Sequence, residues 1–175
     1  MTIVLGPGQS VADLTAAANR SCPRCGGDLH KWGNAKWRVV RHPTGDRRLR
    51  PGRVRCGGCG VTQVVLPPEV LVRRRDAVVQ IGQAWRLFAG GAWARRTSRL
   101  LALPMETVRG WLRRLKERVT IMFGRSQGDD RERLGWALAA VEAEANGAGW
   151  STEQGVWGFV SYRSQGRLLT NTNWP

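Results

Sequence analysis

The chain has 175 residues, with 28 lysine and arginine residues against 13 aspartate and glutamate residues, so its formal net charge is +15. This length excludes a large multidomain enzyme, and an apolar content of 42% excludes a wholly disordered basic tail. The charge predicts a polyanionic partner, because binding one releases condensed counterions. Only three of the basic residues are lysines; the arginines suit forked phosphate and guanine contacts, although a GC-rich coding sequence would produce the same bias.

The charge is concentrated in the first two thirds of the chain. Residues 1–60 hold eleven basic and three acidic residues, and residues 61–124 hold twelve and four, so each segment carries +8. Residues 125–175 hold five basic and six acidic residues, a balance of −1. We therefore expect the first 124 residues to bind the polyanion and the remainder to have another role.

No membrane or export segment is predicted. The sequence has no run of 18 apolar residues, and its first ten residues lack the charged and apolar regions of a secretory signal. The expected location is the cytoplasm, with association with the nucleoid when the protein is bound to DNA.

Four cysteines form two pairs, Cys22-Pro-Arg-Cys25 and Cys56-Gly-Gly-Cys59, separated by thirty residues. A two-residue gap lets both thiolates of a tight turn face one ion, and the following Gly26 and Gly60 permit the turn. The pattern predicts one structural Zn²⁺ held by all four thiolates. Two disulfides or four free thiols are the alternatives, and the former are disfavoured in the cytosol. The two histidines, His30 and His42, are expected to be exposed rather than ligands.

A long hairpin is predicted between the cysteine pairs. Residues 37–42 read as a strand, 43–46 as a turn and 47–55 as a return strand broken by Pro51-Gly52, and residues 61–66 form a third β-rich run. Together with the metal, these strands predict a zinc ribbon over residues 20–68. Its basic residues are either a phosphate-contacting face, which we favour, or a solvated edge that deters strand pairing: Arg38, Arg41, Arg47, Arg48, Arg50, Arg53 and Arg55.

Residues 69–124 are predicted to be helical. Apolar residues from Ala77 to Phe88 recur at helical spacing, a second short helix fits residues 93–101, and a third fits residues 105–119 after a turn at 102–104. The third helix has one apolar stripe, formed by Val108, Trp111, Leu112, Leu115 and Val119. Three helices with a short turn between the last two match a helix-turn-helix. The alternative is a small basic helical bundle that does not recognise bases in a groove of DNA.

In a helix-turn-helix the third helix enters the major groove. Its exposed N-terminal residues, Met105, Glu106, Arg109 and Arg113, are therefore the candidates for reading bases, with the arginines suited to guanine and Glu106 to cytosine. Arg95, Arg96, Arg99, Arg114 and Lys116 join the ribbon arginines as candidate phosphate contacts.

Five runs of the sequence together form a recognisable pattern: CPRCGG, RCGGCGVTQVVLP, RRR, GQAWRLFAGG and TVRGWLRRLKERV. This pattern resembles an uncharacterised actinobacterial family with a zinc ribbon and a helix-turn-helix. Its members are often encoded in transposable elements and are similar to the DNA-binding N-terminal parts of insertion-sequence proteins. The resemblance covers about residues 20–120. Thr97-Ser98 replaces the usual apolar-alanine pair, and Ala102 replaces the usual turn glycine.

After a linker at residues 125–130, Asp129 and Glu132 form a capping-box-like start of a helix that ends near Gly147, and a weaker helix is predicted from Thr152 to Gln165. This quarter holds four of the nine tryptophans: Trp136, Trp150, Trp157 and Trp174. They either pack onto the preceding helices or form a surface for a protein partner or a second copy of the chain.

The sequence thus predicts an α+β protein: an extension (1–19), a zinc ribbon (20–68), an all-α helix-turn-helix (69–124) and C-terminal helices that bind a partner (125–175). Scattered carboxylates and missing catalytic motifs argue against an enzyme. The expected function is sequence-specific binding of double-stranded DNA as an accessory or target-site factor of transposition that recruits a separate transposase. The alternatives are a dimeric transcriptional repressor of the same fold and an RNA-binding zinc-ribbon protein.

Overall fold

The computed structural model describes residues 2–6, 8–16, 21–123, 129–150 and 152–169. The chain is a mixed α+β protein with a small sheet, several helices and a cluster of four cysteines. Its elements in chain order are β1 (Thr2–Val4), α1 (Val11–Ala16), β2 (Leu29–Asn34), β3 (Arg38–Val40), β4 (Arg47–Leu49), β5 (Gly52–Cys56), β6 (Thr62–Leu66), α2 (Val78–Ala89), α3 (Ala94–Leu100), α4 (Met105–Phe123), α5 (Asp130–Gly147) and α6 (Glu153–Arg163).

The N-terminal half contains a four-stranded sheet in the order β1-β6-β5-β2 and a separate hairpin, β3-β4. The predicted return strand is split in two, because Pro51 cannot donate a ladder hydrogen bond and the chain passes there from the hairpin into the sheet. Strand β1 pairs in parallel with β6, so the predicted N-terminal extension supplies an edge strand. One face of the sheet packs a small core that includes Leu5, Leu29, Val54, Cys56 and Val65.

The hairpin belongs to a second, larger core rather than to the sheet. Val40 on β3 is buried among the helices, and Leu49 on β4 packs against the same cluster. Arg41 continues from β3 and pairs its backbone with the segment before α2, through Arg41 N–H to the Arg75 carbonyl and Ala77 N–H to the Arg41 carbonyl. The cysteine-bearing β segment and the helices are therefore joined by packing as well as by the chain.

The helical core extends across the predicted boundary between residues 124 and 125. It combines residues of α2 and α4 with Leu134 and Ala137 of α5 and Trp157 and Val160 of α6. The predicted stripe on α4 is buried throughout: Val108, Trp111, Leu112, Leu115 and Val119. The C-terminal helices thus complete one core with the preceding helices, and packing of this kind is the main source of helix stability in proteins.

The helix termini follow the predicted signals closely. Asp129 caps α5, its carboxylate accepts hydrogen bonds from the backbone of Arg131 and Glu132, and the Glu132 side chain accepts one from Asp129 N–H, which confirms the capping box. Thr152 caps α6 through a hydrogen bond from Gly155 N–H. Between α3 and α4, Ala102 has a φ of 51°, the left-handed conformation that glycine adopts without cost.

Candidate metal centre and nucleic-acid interface

The sheet brings the two cysteine pairs together at one end. Leu29 on β2 lies opposite Cys56 on β5, and Gly57 N–H donates to the carbonyl of Asp28. Each pair sits in a tight turn: Gly26 N–H donates to the Cys22 carbonyl over 2.8 Å and Gly60 N–H to the Cys56 carbonyl over 3.0 Å. Gly26 and Gly60 have φ values of 74° and 69°, which explains why glycine follows each pair.

The four sulfur atoms of Cys22, Cys25, Cys56 and Cys59 lie within 4.8 Å of one another. The Cys22 and Cys59 Sγ atoms are 3.8 Å apart, and the Cys25 and Cys56 Sγ atoms are 3.4 Å apart. Four ligands at about 2.3 Å from a tetrahedral ion have sulfur–sulfur distances of about 3.8 Å. The cluster therefore fits one metal ion with no ligand position left for water.

The surroundings of the thiols also fit a cation. Backbone hydrogen bonds from Arg24 and then Cys25 lower the pKa of the Cys22 thiol to about 7, and the Cys59 backbone lowers the pKa of Cys56. Although the Gly27 backbone favours its thiolate, the neighbouring thiols of Cys56 and Cys59 raise the pKa of Cys25 to about 11. A bound cation would offset the repulsion among the thiolates.

Two residues beside the cluster were not predicted. A Cβ on Gly27 would lie 3.2 Å from the Cys56 sulfur and 3.4 Å from the Cys25 sulfur, so a side chain at this position would crowd the sulfur cluster. The buried Gln63 donates from Nε2 to the Cys22 sulfur over 3.3 Å, which orients the thiolate. The second glycine of CPRCGG was a signal for Gly27, whereas a glutamine on β6 has no distinguishing pattern.

The candidate base-reading residues lie together on the exposed face at the start of α4. Met105, Glu106, Arg109 and Arg113 are all exposed, opposite the buried stripe. Arg109 Nη1 and Glu106 Oε1 form an ion pair of 3.2 Å, which a bound base edge would have to replace. Arg95, Arg96 and Arg99 are exposed on the preceding α3.

Three candidate phosphate contacts are engaged within the chain. The half-buried Arg38 donates to the backbone carbonyls of Leu71 and Arg74, and burial lowers its pKa. Arg41 pairs with Asp76, and Lys116 Nζ lies 2.8 Å from Asp130 Oδ2. A phosphate would have to compete with these partners for the three side chains, so their assignment to phosphate contacts stays a prediction.

The remaining candidate phosphate contacts differ in exposure. Arg47, Arg48 and Arg50 are exposed on or beside β4. Arg53 is half-buried, and Arg114 is half-buried with its Nη1 donating to the carbonyl of Gly110. Arg73, Arg74 and Arg75 lie beside Arg38 around a hollow of about 400 Å³; their run of three arginines was visible in the sequence without being assigned a role.

The tryptophans proposed as a partner surface differ in solvent exposure. Trp136 is 80% exposed on α5, whereas Trp157 is fully buried and Trp150 nearly so. The ring centroids of Trp157 and Trp85 lie 5.9 Å apart, and Trp150 contacts Phe159 and Tyr162. Trp150 and Trp157 are thus core residues, which corrects their assignment as partner contacts. Trp174 lies outside the described residues.

The exposed tryptophans Trp32, Trp37 and Trp93 were not predicted as functional residues.

Among the described residues, no helix is both long and apolar enough to cross a membrane. Comparison with protein-family models, curated proteins and solved structures finds no match for this chain.

Proposed function

We propose that this protein binds double-stranded DNA in a sequence-specific manner, with α3, the turn at 101–104 and α4 acting as a helix-turn-helix. The observation that carries the proposal is the arrangement of α4, which buries one apolar stripe and leaves Glu106, Arg109 and Arg113 exposed at its start. Arginine forks match the two acceptors of guanine, and glutamate matches the amino group of cytosine. A rigid, well-packed helix is what groove reading requires.

Phosphate contacts complete this interface. Arg95, Arg96 and Arg99 are exposed on the helix before the turn, where a helix-turn-helix crosses the DNA backbone. Arg47, Arg48 and Arg50 add a second exposed basic surface on the hairpin. Such contacts set affinity and register, whereas the α4 side chains set sequence preference.

The metal in this proposal is one structural Zn²⁺. Cysteine thiolate is a soft ligand, and tetrahedral sites with four sulfur ligands hold zinc or iron–sulfur centres. Cys22, Cys25, Cys56 and Cys59 would hold the ion, which supplies folding energy to the sheet rather than chemistry. The small core around Leu29 and Val54 supports this role, because so few apolar residues stabilise a sheet only weakly.

The biological role that we propose is that of an accessory or target-site factor of a mobile element, which recruits a separate transposase. This step rests on the resemblance of residues 20–120 to a family encoded in transposable elements. Among the described residues of the C-terminal quarter, the exposed Trp136 on α5 supports a contact with such a partner. A dimeric repressor of the same fold would instead select a palindromic site.

The test is selection of bound duplexes from a random pool by the full chain, followed by affinity measurements on the recovered site. Arg109→Ala should cost about 1–3 kcal/mol on that site and relax preference at one position. Arg48→Ala should weaken all duplexes alike and lower the salt slope by about one unit.

Arg163→Ala is the matched control, because Arg163 is an exposed arginine on α6 outside the proposed interface. The affinity of this variant for the recovered DNA site should equal that of wild type. Recovery of no common sequence, or a preference for RNA in competition with the duplex, would contradict the proposal.

A further inference from the structure

The open face of the small sheet presents an aromatic side chain beside arginines. His30 on β2 lies opposite Arg55 on β5, so these two side chains share a face of the sheet. The register between β2 and β5 shifts between Lys31 and Asn34, and Trp32 is placed on the Arg55 side by its contact with the Arg55 side chain. Leu29 and Val54 occupy the other face and pack in the core. Trp32 remains 52% exposed.

Trp32 and Arg55 form one composite surface. The Arg55 guanidinium carbon lies 4.7 Å from the centre of the Trp32 ring, and both side chains line a groove of about 340 Å³ together with His30 and Gly57. Within the described part of the chain, the nearby Arg53 Nε is buried without a hydrogen-bond partner. The groove thus combines the flat apolar ring of Trp32 with the guanidinium of Arg55.

A second surface of the same composition lies on the outer face of the hairpin. Trp37 is 56% exposed, and the guanidinium carbons of Arg48 and Arg50 lie 5.3 and 5.6 Å from its ring centre. Val39 shares this face, because it pairs with Arg48 across the hairpin. Trp37 lies five positions after Trp32 in the chain, so their Cα atoms are at most about 18 Å apart.

Half-exposed indoles flanked by arginines are suited to unpaired bases. A base offers its flat face only when it is out of the duplex stack, and it then stacks on an aromatic ring or a guanidinium plane. The backbone phosphates of the same strand suit the adjacent arginines. The interior base pairs of a duplex present edges and phosphates but no base faces, so they would leave both tryptophans unused.

We propose that Trp32 and Trp37, with Arg48, Arg50 and Arg55, form a stacking surface for the unpaired bases of a single-stranded nucleic acid. This surface requires neither α3 nor α4, so the inference goes beyond duplex recognition. It gives the protein a second binding mode for a duplex with a single-stranded end or opened segment, in which Arg48 and Arg50 contact the phosphates of the unpaired strand while α3 and α4 hold the adjoining duplex.

The test measures binding of the full-length zinc-loaded protein to labelled oligo(dT) and oligo(U) of 20 nucleotides and to a 20-base-pair duplex. Trp32→Ala and Trp37→Ala should each weaken binding of the single strands about 5- to 150-fold, the range found when one base-stacking aromatic is removed. Duplex affinity should change less than twofold. Trp37→Phe keeps an aromatic face and should retain most of the affinity.

Tyr162→Ala is the control, because it removes an exposed aromatic ring from α6, a helix outside both proposed nucleic-acid surfaces, and should bind both single strands normally. The relative affinities for oligo(dT) and oligo(U) identify the natural strand. A loss of less than twofold in both alanine variants, or an equal loss on the duplex, would overturn the proposal. Failure of wild-type protein to bind any duplex would instead refute the proposed function and leave this inference standing.

Discussion

Arg41 Nε lies 2.8 Å from Asp76 Oδ1, and this ion pair joins the end of β3 to the segment that enters α2. The Asp76 side chain is only 6% exposed, whereas that of Arg41 is 35% exposed. Backbone hydrogen bonds on both sides, from Arg41 to Arg75 and from Ala77 to Arg41, hold the two segments in place. The pair therefore marks the junction between the hairpin and the helical core.

Asp76→Ala should lower the free energy of unfolding by about 2 kcal/mol, because it leaves a partly buried guanidinium without its counter-ion. Urea denaturation followed by circular dichroism measures the change. Glu144→Ala is the control, since the Glu144–Arg163 pair is well exposed on both sides and should contribute less than about 0.5 kcal/mol. Equal losses in both variants would show that the Asp76 pair is not structural.

Gly82→Ala should destabilise the protein by about 3 kcal/mol. A Cβ at residue 82 would lie 2.0 Å from atoms of the buried Trp157 ring, and a close-packed core cannot move an indole cheaply. Gly135→Ala in α5 should have the opposite effect, a gain of about 0.5–1 kcal/mol, because nothing lies within 4 Å of the added atom and alanine favours a helix. Thermal unfolding shows whether each variant is less or more stable than wild type. A Gly82→Ala variant with unchanged stability would mean that α2 and α6 are not packed as described.

Ala102→Gly should raise the free energy of unfolding by up to about 1 kcal/mol. Ala102 has a φ of 51° in the turn before α4, and this conformation costs an L-residue with a Cβ about 1–2 kcal/mol, part of which is offset by the greater chain entropy of glycine in the unfolded state. Ala102→Val should be destabilising, because a branched side chain tolerates this conformation worse. A loss of stability in the glycine variant would contradict the left-handed turn.

Asp130 should contribute to stability in a pH-dependent manner. Hydrogen bonds from Lys116 and Arg133 lower its pKa, so the contribution is complete above the unfolded pKa, about 4, and is lost as the pH falls through the lower folded pKa. Asp130→Asn should be less stable than wild type at pH 7 by under about 1 kcal/mol, since the pair is partly exposed. The difference in unfolding free energy between the variant and wild type should disappear near pH 2. A difference that stays constant with pH would exclude the ion pairs as its cause.

Removal of the metal should unfold the sheet more than the helices. We expect Cys56→Ser to lose the single equivalent of zinc and the protease resistance of residues 21–66, while the helical circular dichroism signal is largely retained. Some loss of helical stability is expected too, because Val40 and Leu49 belong to the helical core. His30→Ala is the control, as His30 is exposed and outside the cysteine cluster; retention of one zinc equivalent by Cys56→Ser would refute the four-cysteine site.

The features that sequence predicts well are those encoded by local spacing. Cys22, Cys25, Cys56 and Cys59 come together as their spacing indicates, and the capping box of Asp129 and Glu132 marks the start of α5. The buried stripe of α4 follows from its period, because positions three and four residues apart share a helix face.

The features that sequence missed depend on contacts distant along the chain. Strand β1 has only three residues and pairs with β6, some sixty positions later, so no local pattern reveals it. Trp157 and Trp136 have the same side chain, yet one is buried against Gly82 and the other faces solvent. The engagement of Arg38 by the carbonyls of Leu71 and Arg74 also depends on where the hairpin docks.

The docking of the hairpin has a consequence for any nucleic acid that spans both halves of the molecule. Because Val40 is buried among the helices, the hairpin arginines and α4 cannot change their separation as modules on a flexible linker would. The two parts of the protein would therefore contact nucleic acid at a fixed separation. One base pair added between their two sites on a duplex shifts the second site by about 3.4 Å along the helix axis and rotates it by about 35° about that axis. A composite binding site is therefore expected to tolerate base changes between its two contacted parts far better than it tolerates a change in their spacing.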